Sequence, residues 1–179
     1  MPETEIEKKN DKWFHRIPEL QNGRRFPSLA PDKANQLFEE ILAAGEDAIG
    51  GIIDGLEAVD DGKDWKARFV LGALASHVGS KEREAARKEL EKVFVAALQQ
   101  VERPASVRTF LVMQLQWFGD AGCVGAVAQQ LESKDVYLVN AAAATLGTIG
   151  GPAADVLKKL RKKVDEPARV AIDHALAQM

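Results

Sequence analysis

The stretch SKDVYLVNAAAATLGTIGGPAADVLKKLRKKV, residues 133–164, decides how this chain reads. It holds two helical runs, Val136 to Ile149 and Pro152 to Val164, parted by Gly150-Gly151. The second run places Ala153, Val156, Leu157, Leu160 and Val164 at helical spacing on one side. A helix pair this short leaves an apolar face uncovered, and only stacking against similar pairs closes a continuous core.

The same design recurs upstream and downstream. Arg68, Arg108, Val139 and Arg169 each stand seven residues before Ala75, Leu115, Leu146 and Leu176, at intervals of 40, 31 and 30 residues. The first three also stand eleven before Gly79, Gly119 and Gly150. A period between about 20 and 50 residues marks a repeat array. The longest interval is expected where the second helix of its pair is longest, over Lys81 to Val101.

The rest of the chain fits this pattern. Pro31 and Asp32 open a helix that carries Ala34, Leu37, Phe38, Ile41 and Leu42, and Gly45 stops it. Ala48 to Val59 continues as a second helix, although Gly50, Gly51 and Gly55 each cost it about 1 kcal/mol relative to alanine. Helices follow from Asp64 to Val78, after the break at Pro104, and around Val124 to Leu131. Residues 1–30 form an irregular cap or tail, with a short helix expected over Ile6 to His15. Residues 31–179 form one helical domain.

Totals agree with a helical chain. Of 179 residues 46% are apolar but only 6% aromatic, which suits closely packed helices better than a sheet. A net charge of -3 gives no global basic field, so attachment to nucleic acid by phosphate neutralisation is disfavoured. Met1 to Asn10 lacks the apolar core of a signal peptide, and no run is long enough to span a bilayer, so a cytoplasmic location is expected. The single Cys123 forms no internal disulfide and makes no thiolate metal site alone.

In Val107-Arg108 with Leu115 and Phe118-Gly119, and in Ala141 to Ala144 with Leu146-Gly147 and Ile149-Gly150, the chain resembles the HEAT-repeat family. The likeness is greatest to the short bacterial repeats first grouped with phycobilin lyases. It runs over about Asp32 to Met179 and is strongest from Pro104 onward. Ala75 and Asn140 depart from its leucine and arginine positions. The resemblance implies an all-α fold, an α-solenoid of stacked antiparallel helix pairs. It further implies that acids and arginines such as Asp64 with Arg68, and Asp165 with Arg169, tie neighbouring repeats. It implies a non-catalytic scaffold that binds a protein or peptide along the groove of the second helices, with no cofactor or metal. An enzyme resembling HEAT-like DNA glycosylases or a chromophore lyase is the alternative. Self-association through the lone last helix, giving a homodimer, is a third reading.

Candidate contact residues come in three groups. Trp13, Phe14, Arg24 and Arg25 mix aromatics and cations in the N-terminal segment, either as a partner surface or as a cap packed on the first helices. Trp117, beside Phe118, stands either in the core or at the lip of a groove, and partial burial is the expectation. Lys158, Lys159, Arg161 and Lys162 crowd one helix, as an anion patch or as a solvated face near a negative helix end. Asp54, Glu57, Asp60, Asp61 and Asp64 form an acidic edge that matches no calcium loop and reads as a solvated turn. His15, His77 and His174 lie far apart without His-Glu pairs, which excludes HEAT-like iron hydroxylase chemistry. His77 and Cys123 read as packing residues.

Overall fold

The computed structural model describes residues 5–20, 27–58 and 62–179. Among these residues ten α-helices are present and no strand, so the chain is all-α as expected. No helix among them is long and apolar enough to cross a membrane. The chain divides into two compact units, Met1–Leu90 and Glu91–Met179.

In the first unit α1 (Glu5–Phe14) packs on α3 (Glu46–Asp54), and α2 (Pro31–Ala43) packs on both α3 and α4 (Trp65–Val78). The short N-terminal helix expected over Ile6 to His15 is α1. One buried polar contact seats it. Gly55 N–H donates to Ile52 O, which leaves the Gly51 carbonyl free at the end of α3, and buried Asn10 donates to it at 2.7 Å. Gly45, at φ 76°, makes the sharp link between α2 and α3 in a region that an L side chain rarely adopts. The helix expected over Ala48 to Val59 stops at Asp54, because Gly55 N–H already closes a tight last turn on Ile52 O. Val59 lies outside the described residues.

The second unit begins inside α5 (Glu84–Leu98) and continues through α6 (Ala105–Phe118), α7 (Val124–Gln129), α8 (Val136–Ile149), α9 (Gly151–Leu160) and α10 (Glu166–Ala177). The long first interval has the expected cause: α5 has 15 residues where α7 has 6. Helices α6, α8 and α10, the first of each pair, lie side by side, with α8 packed on both others. Helices α7 and α9 pack behind α8 and on each other. This is a stack of helix pairs, the α-solenoid arrangement.

The repeat positions are alike in burial. Ala75, Leu115 and Leu146 are all fully buried, while Leu176 on the last helix is only half-buried because no further helix covers α10 among the described residues. Thr145, also fully buried, donates to Val112 O at 3.1 Å and fixes α8 against α6. The helix boundaries at residues 149–152 follow from Gly150 at φ 77° and Pro152 in the first turn of α9. That second run ends at Leu160, four residues before the expected Val164, and residues 161–163 form a turn.

Candidate interaction surface

The first helices start in register because their caps recur. Asp135 Oδ1 accepts from Leu138 N–H at 2.9 Å, and Asp165 Oδ1 accepts from Ala168 N–H at 3.2 Å. Pro104 holds the same place before α6. With the starts aligned, the outward positions of α6, α8 and α10 fall into rows across the helices. On α6 they are Ser106, Thr109, Met113 and Trp117. On α8 they are Tyr137, Asn140, Ala144 and Thr148. On α10 they are Pro167, Val170, His174 and Gln178, the last just past the helix end. All are exposed or half-buried, and none is Asp, Glu, Lys or Arg, in a chain where 28% of residues are charged.

Trp117 is 73% exposed, which overturns the expected partial burial. The reason is rotational. Leu111, Leu115 and Phe118 fill the core at i, i+4 and i+7, and Phe118 packs edge-to-face on Phe94 with ring centres 5.3 Å apart. A residue one step from Phe118 turns about 100° away from that contact. Tyr137, 81% exposed, is a surface aromatic that the sequence reading missed. The burial of Leu138, Val139, Ala142 and Leu146 shows the signal that points Tyr137 outward. Met113, 51% exposed, lies one turn before Trp117. Gln116 donates to Thr148 Oγ1 at 3.1 Å, so Trp117 and Thr148 stand at one height. Between α8 and α10 a groove of about 280 Å³ opens on this face, floored by Ala143, Gly147 and Ala175 and edged by Asn140, Ala144, His174 and Gln178.

The other candidates lie elsewhere. Trp13 is buried with Lys12 4.4 Å over its ring, and Phe14 is half-buried. Arg24 and Arg25 lie outside the described residues. Lys158, Lys159, Arg161 and Lys162 are exposed around the C-terminal end of α9, where cations meet a negative helix end. Lys158 lies 3.8 Å from Asp155, and Arg161 forms a two-pronged bond to Asp173. The lysines of α9 and Trp117 of α6 thus sit in different helix layers, so the structure does not join them into one aromatic and cationic groove.

The Arg161 hydrogen bond holds the Asp173 carboxyl below the usual carboxylate range, and the charges of Arg161 and Arg169 help. A lowered folded pKa means that the pair stabilises the α9–α10 contact above the unfolded value of about 3.9, and that this is lost as pH falls through the folded value. An NMR titration of the Asp173 carboxyl carbon should give a midpoint below that value, returned to it by Arg161→Gln. An ordinary midpoint in the parent chain would contradict this.

The repeat arginines are structural. Arg68 binds both oxygens of buried Asp64 through Nε at 2.9 Å and reaches back to Glu57 O at 3.2 Å. Asp64 also accepts from Glu57 N–H, so it ties α4 to the preceding pair and presents no open carboxylate. The matching Asp165–Arg169 contact does not form: Asp165 caps α10, and Arg169 pairs with Glu166. Of the remaining acidic edge, Asp60 and Asp61 lie outside the described residues. No group of three His, Cys, Asp or Glu among the described residues could hold a metal ion.

His77 packs edge-to-face on Phe38 and lies 3.0 Å from Glu39, as expected of a structural residue. Burial and the Glu91 carboxylate push the buried Cys123 thiol up to about 12, far from the range of a reactive thiolate. Asp120 accepts from Gly122 N–H at 2.8 Å within its own turn.

Stacked first helices, here with an aromatic-bearing outer face, define a helical-repeat fold. More specifically, residues 91–177 match the family described as HEAT repeats. The match covers the part of the chain where the motif is best kept. Among curated proteins no match to this chain is found. HEAT repeats generally serve as protein-interaction scaffolds.

Proposed function

We propose that this protein is a non-catalytic scaffold that binds protein through the outer face of α6, α8 and α10. The observation that carries this reading is the uncharged ladder with Trp117, Tyr137 and Met113 exposed on it. Loss of charge with enrichment in Trp, Tyr and Met is the composition of interface centres rather than of ordinary surface. The exposed side chains of α9 and of the turn after it, on the second-helix side, are largely cations, which suit solvent or an acidic partner. Kinship with short bacterial repeats of the phycobilin-lyase type belongs to the same proposal and assigns no chromophore chemistry.

A photo-crosslinking side chain at position 117, with the same probe at position 159 on the second-helix side, tests it in extracts of the source cell. Adducts formed from position 117 and competed by unlabelled chain are expected. Adducts from position 159 alone would move the binding surface to the second helices and overturn this reading.

A further inference from the structure

We infer that the occupant of this face is a second copy of the same chain, docked with Met113 and Trp117 in the α8–α10 groove of the other copy. The inference rests on the outer face of the first helices being the interaction surface. It goes further by naming what covers that face.

The face carries both a projection and a recess that fits it. Trp117 and Met113 project from α6, and the groove between α8 and α10 is floored by alanine and glycine. Their heights agree. By the repeat register Trp117 is level with Thr148 and Gln178, and Met113 with Ala144 and His174; the Gln116–Thr148 bond fixes the first of these directly. A two-fold axis parallel to the helices keeps every height unchanged while turning one face onto the other. It therefore brings α6 of each copy over the groove of the other, twice and reciprocally, as an isologous contact requires.

The same operation sets α8 against its copy near the axis, with Tyr137 beside Tyr137 of the second copy. An axis running across the helices instead puts α6 on α6 and leaves both grooves unfilled. Charge does not oppose the pairing, because none of the ladder positions is Asp, Glu, Lys or Arg and the one histidine, His174, lies on α10, away from the axis and from its own copy.

Area sets the strength. At about 9 Å between helices and about 1.5 Å per residue, the ladder covers roughly 25 Å by 18 Å, or about 450 Å² in projection. Side-chain relief raises this figure toward, without reaching, the roughly 800 Å² per partner of a standard interface. A weak, concentration-dependent dimer follows, with a dissociation constant in the range of about 10 μM to 1 mM.

Sedimentation equilibrium of the full chain from roughly 1 μM to 2 mM should show monomer passing to dimer. Trp117→Ala should weaken that dimer at least about 10-fold, as should Ala144→Glu, which blocks the groove. Lys159→Glu on α9 should leave it unchanged. Both ladder positions are exposed, so circular dichroism should report an unaltered fold.

Orientation is read separately: Tyr137→Cys alone, treated with a short bismaleimide, should give a covalent dimer, with buried Cys123 unreactive. A monomer at every concentration overturns the second-copy proposal. So does a dimer indifferent to Trp117→Ala and Ala144→Glu. Failure of the Tyr137→Cys chain to link while a Tyr137→Cys and Thr148→Cys mixture does so overturns the parallel arrangement. A monomeric chain whose position-117 probe captures a different protein refutes the second copy and leaves the scaffold reading standing.

Discussion

Gly119→Ala should destabilise the second unit by about 3 kcal/mol, seen as a lower urea midpoint with little change in slope. The backbone angles are not the reason, since φ -67° and ψ 151° suit any residue. Space is the reason. Gly119 N–H donates to Leu115 O at 2.7 Å, and a Cβ here would stand 2.7 Å from that same oxygen and 2.7 Å from Cys123 Sγ. The sulfur is buried and the carbonyl is backbone, so neither yields cheaply. Cys123→Ala in the same chain removes one of the two collisions and should return part of the loss. A Gly119→Ala chain that unfolds at the parent urea concentration would show that the turn after α6 relaxes freely, which this packing does not permit.

That glycine illustrates what could be read from sequence and what could not. Its place eleven residues after Arg108 revealed the repeat, because helix length and stop recur together. The start and stop of α8 were legible for a like reason: Asp135 caps it, and Gly150 takes a positive φ just before a proline. Sequence alone favours partial burial for Trp117, because its neighbours Leu115 and Phe118 are core residues and tryptophan tends to hide its ring. The rotation set by Leu111, Leu115 and Phe118 outweighs that tendency. Tyr137 escaped notice for want of any charged or repeated neighbour, yet the absence of charge along α8 is the feature that marks its outer face.

The Asp165–Arg169 expectation failed through competition. Asp165 Oδ1 is already taken by the first turn of α10, and Glu166 lies closer to hand for the arginine. At Asp64 no side-chain cap bond competes, and the pairing with Arg68 forms. Sequence spacing gives both pairs equal standing, so only the positions of the backbone donors separate them.

The second large effect is expected at Gln130, a buried side chain that no motif pointed to. Its Nε2 donates to Leu98 O at 3.3 Å and to Ala126 O at 3.1 Å, while its Oε1 accepts from Arg108 Nη1 at 2.7 Å. Arg108 also donates through Nε to Arg103 O at 3.1 Å. One side chain thus joins the end of α5, the end of α7 and the first turn of α6, and it helps fix the height at which Met113 and Trp117 stand.

Gln130→Leu keeps the volume but strips a partner from two buried carbonyls and a guanidinium, so a loss of about 3 kcal/mol is expected in urea unfolding. Arg108→Leu should cost less, about 1–2 kcal/mol, because Arg108 is half-buried and its removal leaves fewer orphaned groups. The two share a bond, so the double variant should lose measurably less than the sum. Gln130→Glu divides the argument further. It retains an acceptor for Arg108 while facing two carbonyls with oxygen, so if the arginine bond dominates it resembles the parent, and if the carbonyls dominate it falls with Gln130→Leu. The two donated bonds outnumber the one accepted, and both end on backbone that has little other recourse, so Gln130→Glu should fall with Gln130→Leu.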